Sequence, residues 1–126
     1  MSFRTPLARV RGLGSAKSGT ENWWHERLSA VASVPTSLFL IWLGLAVAGH
    51  DQAVIIAMLR QPMIAMGLAL SIIVMLWHMR LGMQVIIEDY VHGGAKFWLL
   101  IANNFLVALM AAVSLQAIVR LVAGAP

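Results

Sequence analysis

The stretch Trp77–His92, which reads WHMRLGMQVIIEDYVH, decides how this chain folds. It begins inside a long apolar run and ends at two glycines, Gly93 and Gly94. On an α-helix each residue advances the chain by about 100° and about 1.5 Å, so His78 and Asp89 return to nearly the same face about 16 Å apart. That distance is roughly half the thickness of a bilayer core. The stretch therefore predicts a helix with a histidine deep in an apolar environment and an acid near a polar boundary.

The composition predicts an integral membrane protein. Of the 126 residues, 60% are hydrophobic and 11% are charged, whereas charged residues make up about a quarter of an ordinary soluble domain. The chain has no cysteine, which excludes disulfides and thiolate metal sites. Its net charge of +4 comes mainly from basic residues ahead of the first apolar run. There the charge predicts orientation in a lipid bilayer, and no nucleic-acid partner is expected.

Three apolar runs are long enough to cross a bilayer, so the predicted fold is all-α with three transmembrane helices. The expected spans are residues 28–48, 63–87 and 97–121. They form a membrane anchor domain, residues 23–122, between an N-terminal tail at residues 1–22 and a short end at residues 123–126. The apolar segment 53–59 is too short to span and predicts an interfacial helix, and Pro62 is well placed to open the second span.

Lysine and arginine in short loops predict the orientation of these spans. Five basic residues precede or begin the first span, and Lys96 follows the second: the five are Arg4, Arg9, Arg11, Lys17 and Arg27. The opposite side has Arg60 and Arg120. We therefore expect the N-terminus to be cytoplasmic in a bacterial inner membrane, with the mitochondrial inner membrane as the alternative. This orientation puts Arg27, Asp89 and Tyr90 at one cytoplasmic interface.

His78 is the first candidate for a functional residue, because ionisable side chains are rare inside membranes. One interpretation is a hydrogen bond across a helix interface. The other is ligation of haem iron, which a neutral imidazole suits, with Gly82 one turn further on leaving room for the macrocycle. A second ligand would have to come from another subunit, since the remaining histidines lie near the span ends: His25, His50 and His92.

The polar residues of the second and third spans predict contacts between helices. Arg80, Gln84 and Glu88 share a helix face at four-residue spacing, which predicts a ladder leading the guanidinium toward the cytoplasm. Asn103 and Asn104 are possible polar contacts of the third span.

Tyr90, Asp89 and Arg27 each allow two interpretations. A tyrosine and an aspartate at a span end are common interfacial residues. The functional alternative is that the phenol donates a hydrogen bond to a carbonyl oxygen of a lipid-soluble substrate, with the carboxylate tuning it. Arg27 is either a basic anchor or a ligand of the same pocket or of haem propionates.

Two motifs together carry a family resemblance. His78-x-x-x-Gly82-Met83 followed by Asp89-Tyr90-Val91 comes after Arg27-x-Ser29-Ala30 at the head of the first span. This pattern resembles the small hydrophobic anchor subunit of succinate dehydrogenase, the partner of the cytochrome b556 subunit, and especially its alphaproteobacterial and mitochondrial versions. The resemblance covers three spans in the same order, roughly residues 20–122.

The resemblance implies a role for four of these positions. His78 would be one axial ligand of haem b, the other coming from the cytochrome b subunit. Tyr90 would hydrogen-bond ubiquinone with Asp89 nearby, and Arg27 would lie close to the haem propionates and the quinone pocket. No role is implied for His25 or Arg80.

The implied function is membrane anchoring of the flavoprotein and iron–sulfur subunits of respiratory complex II, with electron transfer to ubiquinone in the tricarboxylic acid cycle. Succinate oxidation itself would occur on the flavoprotein, so the haem-binding bundle would be shared and this chain would contain no catalytic residue for succinate. Two alternatives stay open. One is a fumarate reductase anchor, and the other is a small transporter subunit that uses His78 or Arg80 in a proton or substrate path.

Overall fold

A computed structural model describes residues 5–10 and 19–124 of the chain. Those ranges contain five α-helices and no β-strand: α1 (Pro6–Val10), α2 (Gly19–Val47), α3 (Gln52–Leu59), α4 (Pro62–Tyr90) and α5 (Gly94–Ala123). Most of the basic residues of the predicted cytoplasmic tail, and Pro126 of the predicted C-terminal end, lie outside the described residues.

Three of the helices are long and apolar enough to cross a bilayer, so the predicted all-α membrane fold is confirmed. The candidate spans are Thr20–Val47, Pro62–Tyr90 and Gly94–Ala123. Each helix is longer than the apolar run that predicted it. The difference is largest in α2, which begins at Gly19 rather than near residue 28. Residues 20–27 are polar or aromatic but contain no glycine or proline, so nothing there interrupts the helix.

Glycine and proline mark the connections between helices. Gly49, after α2, and Gly93, before α5, have φ values of 76° and 72°, in the left-handed region that glycine adopts without steric cost. Pro62 occupies the first turn of α4 as predicted, where its missing N–H has no helical partner to lose. The predicted interfacial segment 53–59 corresponds to α3.

The central helix is α4, which packs against both α2 and α5. On α2 the buried side chains recur every seven residues, at Ser29, Thr36 and Leu43. A seven-residue repeat of contact positions is the pattern of left-handed helix pairs. The seam is made largely of small and weakly polar side chains, which allow the close approach typical of helices in membranes.

A glycine brings α2 and α4 especially close. A Cβ atom placed on Gly67 would lie 2.7 Å from Cζ of Phe39, so the ring occupies space that any other residue would need. One turn further on, the Ser71 hydroxyl donates to the Gly67 carbonyl at 2.7 Å, and Ser71 is 1% exposed. The contact between Phe39 and Gly67 therefore fixes the local spacing of the two helices.

Arg60, between α3 and α4, and Lys96, in the first turn of α5, each donate a hydrogen bond to the end of a neighbouring helix. Arg60 Nε donates to the carbonyl of Leu121, in the last turn of α5, at 2.9 Å. Lys96 Nζ donates to the carbonyl of Glu88, in the last turn of α4, at 3.2 Å. Both cations lie at the C-terminal ends of helices, where the helix dipole favours positive charge.

Candidate functional site

The candidate site begins with a contact between α2 and α4. Ser29 Oγ lies 3.2 Å from Nδ1 of His78, and Ser29 is buried. The same hydroxyl donates to the Glu26 carbonyl at 2.9 Å. His78 thus makes the helix–helix hydrogen bond that was one of its two interpretations. The bond uses only one ring nitrogen, and within the described residues no hydrogen bond reaches Nε2.

Aromatic side chains surround the contact. The His25 ring lies 6.0 Å from the Trp77 ring, centroid to centroid, in an edge-on arrangement. With Ser29 and four apolar residues of both helices, these two rings line a groove of about 260 Å³. His25, which sequence reasoning left without a role, is therefore a neighbour of the residue that precedes His78.

The contact between Ser29 and His78 also sets the relative height of the two antiparallel helices. Arg27 lies two residues before Ser29, about 3 Å along the axis toward the start of α2. Tyr90 lies twelve residues after His78, about 18 Å along α4 in the same direction, because the two helices are antiparallel. Arg27 therefore lies roughly 15 Å short of Tyr90 along the bundle. The sequence predicts Arg27 and Tyr90 at the same depth in the membrane, because that prediction takes Arg27 to precede the first helix. The contact between Ser29 and His78 instead places the two residues at different depths.

Arg27 is exposed, and its guanidinium lies 5.5 Å from the centre of the Trp23 ring. A cation over an indole face is an attractive arrangement. Trp23 is four residues nearer the start of α2, so the guanidinium is held on the side of the bundle that leads toward Tyr90. The Arg27 side chain thus extends over part of the axial distance between the Arg27 and Tyr90 backbones.

Tyr90 and Asp89 end α4, and both are exposed. Tyr90 is 79% exposed within this chain, so its phenol is available to a membrane interface or to another molecule. The helix stops directly behind it, where Val91 is extended and its N–H donates to Ile87 at 3.1 Å.

Arg80 takes a different partner from the predicted one. Its Nε donates to Oδ1 of Asn104, and Asn103 Nδ2 donates to the Arg80 carbonyl at 3.0 Å. The other half of the predicted ladder is formed, since Gln84 Nε2 donates to Glu88 Oε1 at 2.8 Å. Arg80 thus joins α4 to α5, because an amide on the neighbouring helix offers the guanidinium an acceptor within the apolar bundle.

Gly82 lies beside open space. A Cβ atom placed there would meet no heavy atom within 4 Å, apart from its own helix backbone and chain neighbours. Packing inside this chain therefore does not require a glycine at this position. A face that carries a free imidazole nitrogen and, one turn later, no side chain is compatible with a large planar group lying against α4.

The partners of His78 and Arg80 were missed by sequence reasoning. Ser29 and His78 are 49 residues apart, and no spacing rule along one helix connects them. The available signal was a small polar residue inside an apolar span, which indicates a helix contact but not which residue it meets.

These features define a class: a small multi-pass membrane protein whose long apolar helices are joined by a few polar side-chain contacts. Residues 1–115 match the family described as the succinate dehydrogenase/fumarate reductase transmembrane subunit. The chain belongs to this family.

Similar proteins carry a more specific description. The chain is 39% identical to the succinate dehydrogenase hydrophobic membrane anchor subunit of Rickettsia bellii, over 71% of each chain. It is 38% identical to the subunit of the same description from Paracoccus denitrificans, over 76% of this chain and 74% of the other. No solved structure matches. The resemblance to the small membrane anchor of succinate dehydrogenase is thereby confirmed.

Proposed function

We propose that this chain is the anchor subunit that supplies one axial ligand of haem b and part of the ubiquinone-reduction site of succinate:ubiquinone oxidoreductase. The single observation that carries the proposal is the arrangement of His78. Its Nδ1 is held by Ser29 while Nε2 has no partner among the described residues, on a face that Gly82 leaves open. An imidazole held through one nitrogen and free at the other is the usual form of a histidine metal ligand.

The residues that would hold the haem are His78, Gly82 and Arg27. His78 would bind iron, Gly82 would leave space for the ring, and Arg27 would pair with a propionate. Arg27 is nearer the level of His78 than that of Tyr90, which favours its propionate role over its quinone role. When bound, the haem would supply a one-electron carrier between the subunits.

Tyr90 and Asp89 would form this chain's part of the quinone site. The phenol donates one hydrogen bond, and its exposure leaves that donor available to a quinone carbonyl. Asp89 beside it would tune the donor. The rest of the pocket would come from other subunits, since Tyr90 is exposed within this chain.

The implied partners are the flavoprotein, the iron–sulfur subunit and the cytochrome b556 anchor, which would provide the second haem ligand. The cytoplasmic side would carry the first two. Because the matched family includes fumarate reductase anchors, the direction of turnover is part of the proposal. The Asp89-Tyr90 pair after a ligand histidine favours the form that reduces ubiquinone. Family membership favours electron transfer over the transporter alternative.

Substitution of His78 tests the haem assignment. His78→Ala removes the imidazole that is proposed to bind the haem iron. We expect the purified complex to lose or alter its haem b absorption and to assemble less well, because a haem with two histidine ligands ties two subunits together. His50→Ala is the matched control, since the His50 side chain hydrogen-bonds only a nearby backbone carbonyl, that of Ala48, in the loop between α2 and α3 of the described structure. An unchanged spectrum and haem content in His78→Ala would leave His78 as a packing residue.

A further inference from the structure

We propose that Ser29 is a positioning residue for His78: its hydroxyl determines which ring nitrogen carries the proton and therefore which one is free to bind iron. This inference rests on the proposed haem ligation by His78. It concerns a residue on a different helix, to which neither the family match nor the similar proteins assign a role.

The number of available protons determines the direction of each hydrogen bond at Ser29. A serine hydroxyl has one hydrogen to donate. Ser29 Oγ lies 2.9 Å from the Glu26 carbonyl, which can only accept, so the hydroxyl donates there. The remaining contact, 3.2 Å to His78 Nδ1, must then run from Nδ1–H to the serine oxygen. The neutral imidazole consequently carries its proton on Nδ1 and a lone pair on Nε2.

The opposite tautomer would break one of these two bonds. If Nδ1 were unprotonated, the hydroxyl would have to turn toward it and leave the Glu26 carbonyl without the serine donor. The tautomer with the proton on Nδ1 is the one that keeps both hydrogen bonds of the Ser29 hydroxyl. Ser29 is also buried, with 6% of its surface exposed.

The hydrogen bond has a second consequence for the imidazole. An acceptor on Nδ1–H makes Nε2 a stronger electron donor, as outer-shell partners of metal-bound histidines do. A stronger donor stabilises ferric haem relative to ferrous haem. Loss of the acceptor should therefore raise the haem midpoint potential and weaken haem retention, by about 10-fold or more in affinity.

The experiment compares four variants in the assembled complex: Ser29→Ala, Ser29→Thr, Ser29→Val and Ser33→Ala. Thr keeps the hydroxyl, and Val has nearly the shape of Thr without it. Ser33→Ala removes a hydroxyl one turn away that bonds only a backbone carbonyl. The measurements are the haem-to-flavin ratio, a redox titration of the haem and low-temperature electron paramagnetic resonance of the ferric state.

We expect Ser29→Ala and Ser29→Val to raise the potential, change the ferric spectrum and lower haem content, while Ser29→Thr and Ser33→Ala stay near the wild type. If the complex with Ser29→Ala does not assemble, the comparison of Ser29→Thr with Ser29→Val still isolates the effect of the hydroxyl. Equal potentials and spectra in Thr and Val would overturn the inference while leaving the haem assignment intact. Retention of normal haem in His78→Ala would overturn both.

Discussion

Tyr90 is the residue at which the structural and functional interpretations differ most clearly. Its side chain is 79% exposed and makes no contact within the described residues that would require a hydroxyl. As an interfacial aromatic residue it would need only its ring. As a quinone ligand it would need the phenol, because the accepting carbonyl oxygen becomes more negative as electrons arrive.

We predict that Tyr90→Phe leaves assembly, haem content and dye-coupled succinate oxidation unchanged but lowers ubiquinone reduction about 10-fold or more, since a charge-assisted hydrogen bond contributes roughly 1.5–3 kcal/mol. The measurement is quinone reduction by the purified complex. Trp98→Phe is a suitable control, because Trp98 is an exposed aromatic residue near the start of α5. Normal quinone turnover in an assembled Tyr90→Phe complex would mean that Tyr90 is an interfacial residue and not a quinone ligand.

Sequence reasoning at the residue scale identified which positions are unusual but not what they touch. His78 and Arg80 were singled out because imidazole and guanidinium groups are rare in apolar helices. Their partners, Ser29 and Asn104, depend on how α2 and α5 rotate against α4. Spacing within one helix holds no information about that rotation, which explains why Gln84 and Glu88 were paired correctly and Arg80 was not.

Among the helices, the pair α2 and α4 has the clearest steric constraint. Phe39 fills the space beside Gly67, where a Cβ would be 2.7 Å from the ring. An added methyl group must therefore displace the ring or separate the helices, at a cost of about 1–3 kcal/mol.

We predict that Gly67→Ala lowers the temperature at which the detergent-purified complex loses this chain, and that Phe39→Leu in the same molecule restores part of the loss. Gly44→Ala is the matched control, because a Cβ on Gly44 would meet no heavy atom within 4 Å. If Gly67→Ala and Gly44→Ala behave alike, the contact between Phe39 and Gly67 does not set the helix spacing.

The existence and order of the long helices were predictable because apolar length is a strong signal for a membrane span. The residues at which these helices begin and end were less predictable. The start of α2 was placed about nine residues too late, since hydropathy falls at Trp23 and Trp24 although the helix continues. The same error displaced Arg27 from its level beside His78 to the level of Tyr90.

At the scale of the whole molecule, the orientation of the bundle remains a prediction. Basic residues before and within the start of α2 should keep the N-terminus in the cytoplasm. A reporter enzyme that is active only outside the cytoplasm should be inactive when fused after Gly94 and active when fused after Pro126. The reverse pattern would invert the bundle and place Tyr90 on the wrong side for a cytoplasmic iron–sulfur partner.

At the same scale, few of the described side chains are buried within the chain itself. Within α5, all of which the structure describes, Asn103 is the only buried residue. Tyr90 is 79% exposed, and a Cβ atom on Gly82 would meet no heavy atom within 4 Å apart from its own helix backbone and chain neighbours. In the proposed site, the second haem ligand and the rest of the quinone pocket would come from other subunits, and no pattern within one sequence could specify those contacts.

The seam of buried residues on α2, which repeats every seven residues, is the part of that helix that is buried within this chain. Ser29, Thr36 and Leu43 are the buried positions, so most other residues of α2 face lipid or another subunit. Random substitution of α2 should therefore distinguish two kinds of position by the replacements that each accepts. Bulky replacements on the seam would disturb α4 directly, whereas apolar exchanges elsewhere would be accepted wherever lipid is the neighbour. Intolerant positions that are exposed within this chain would then mark where other subunits pack against α2, without a structure of the complex.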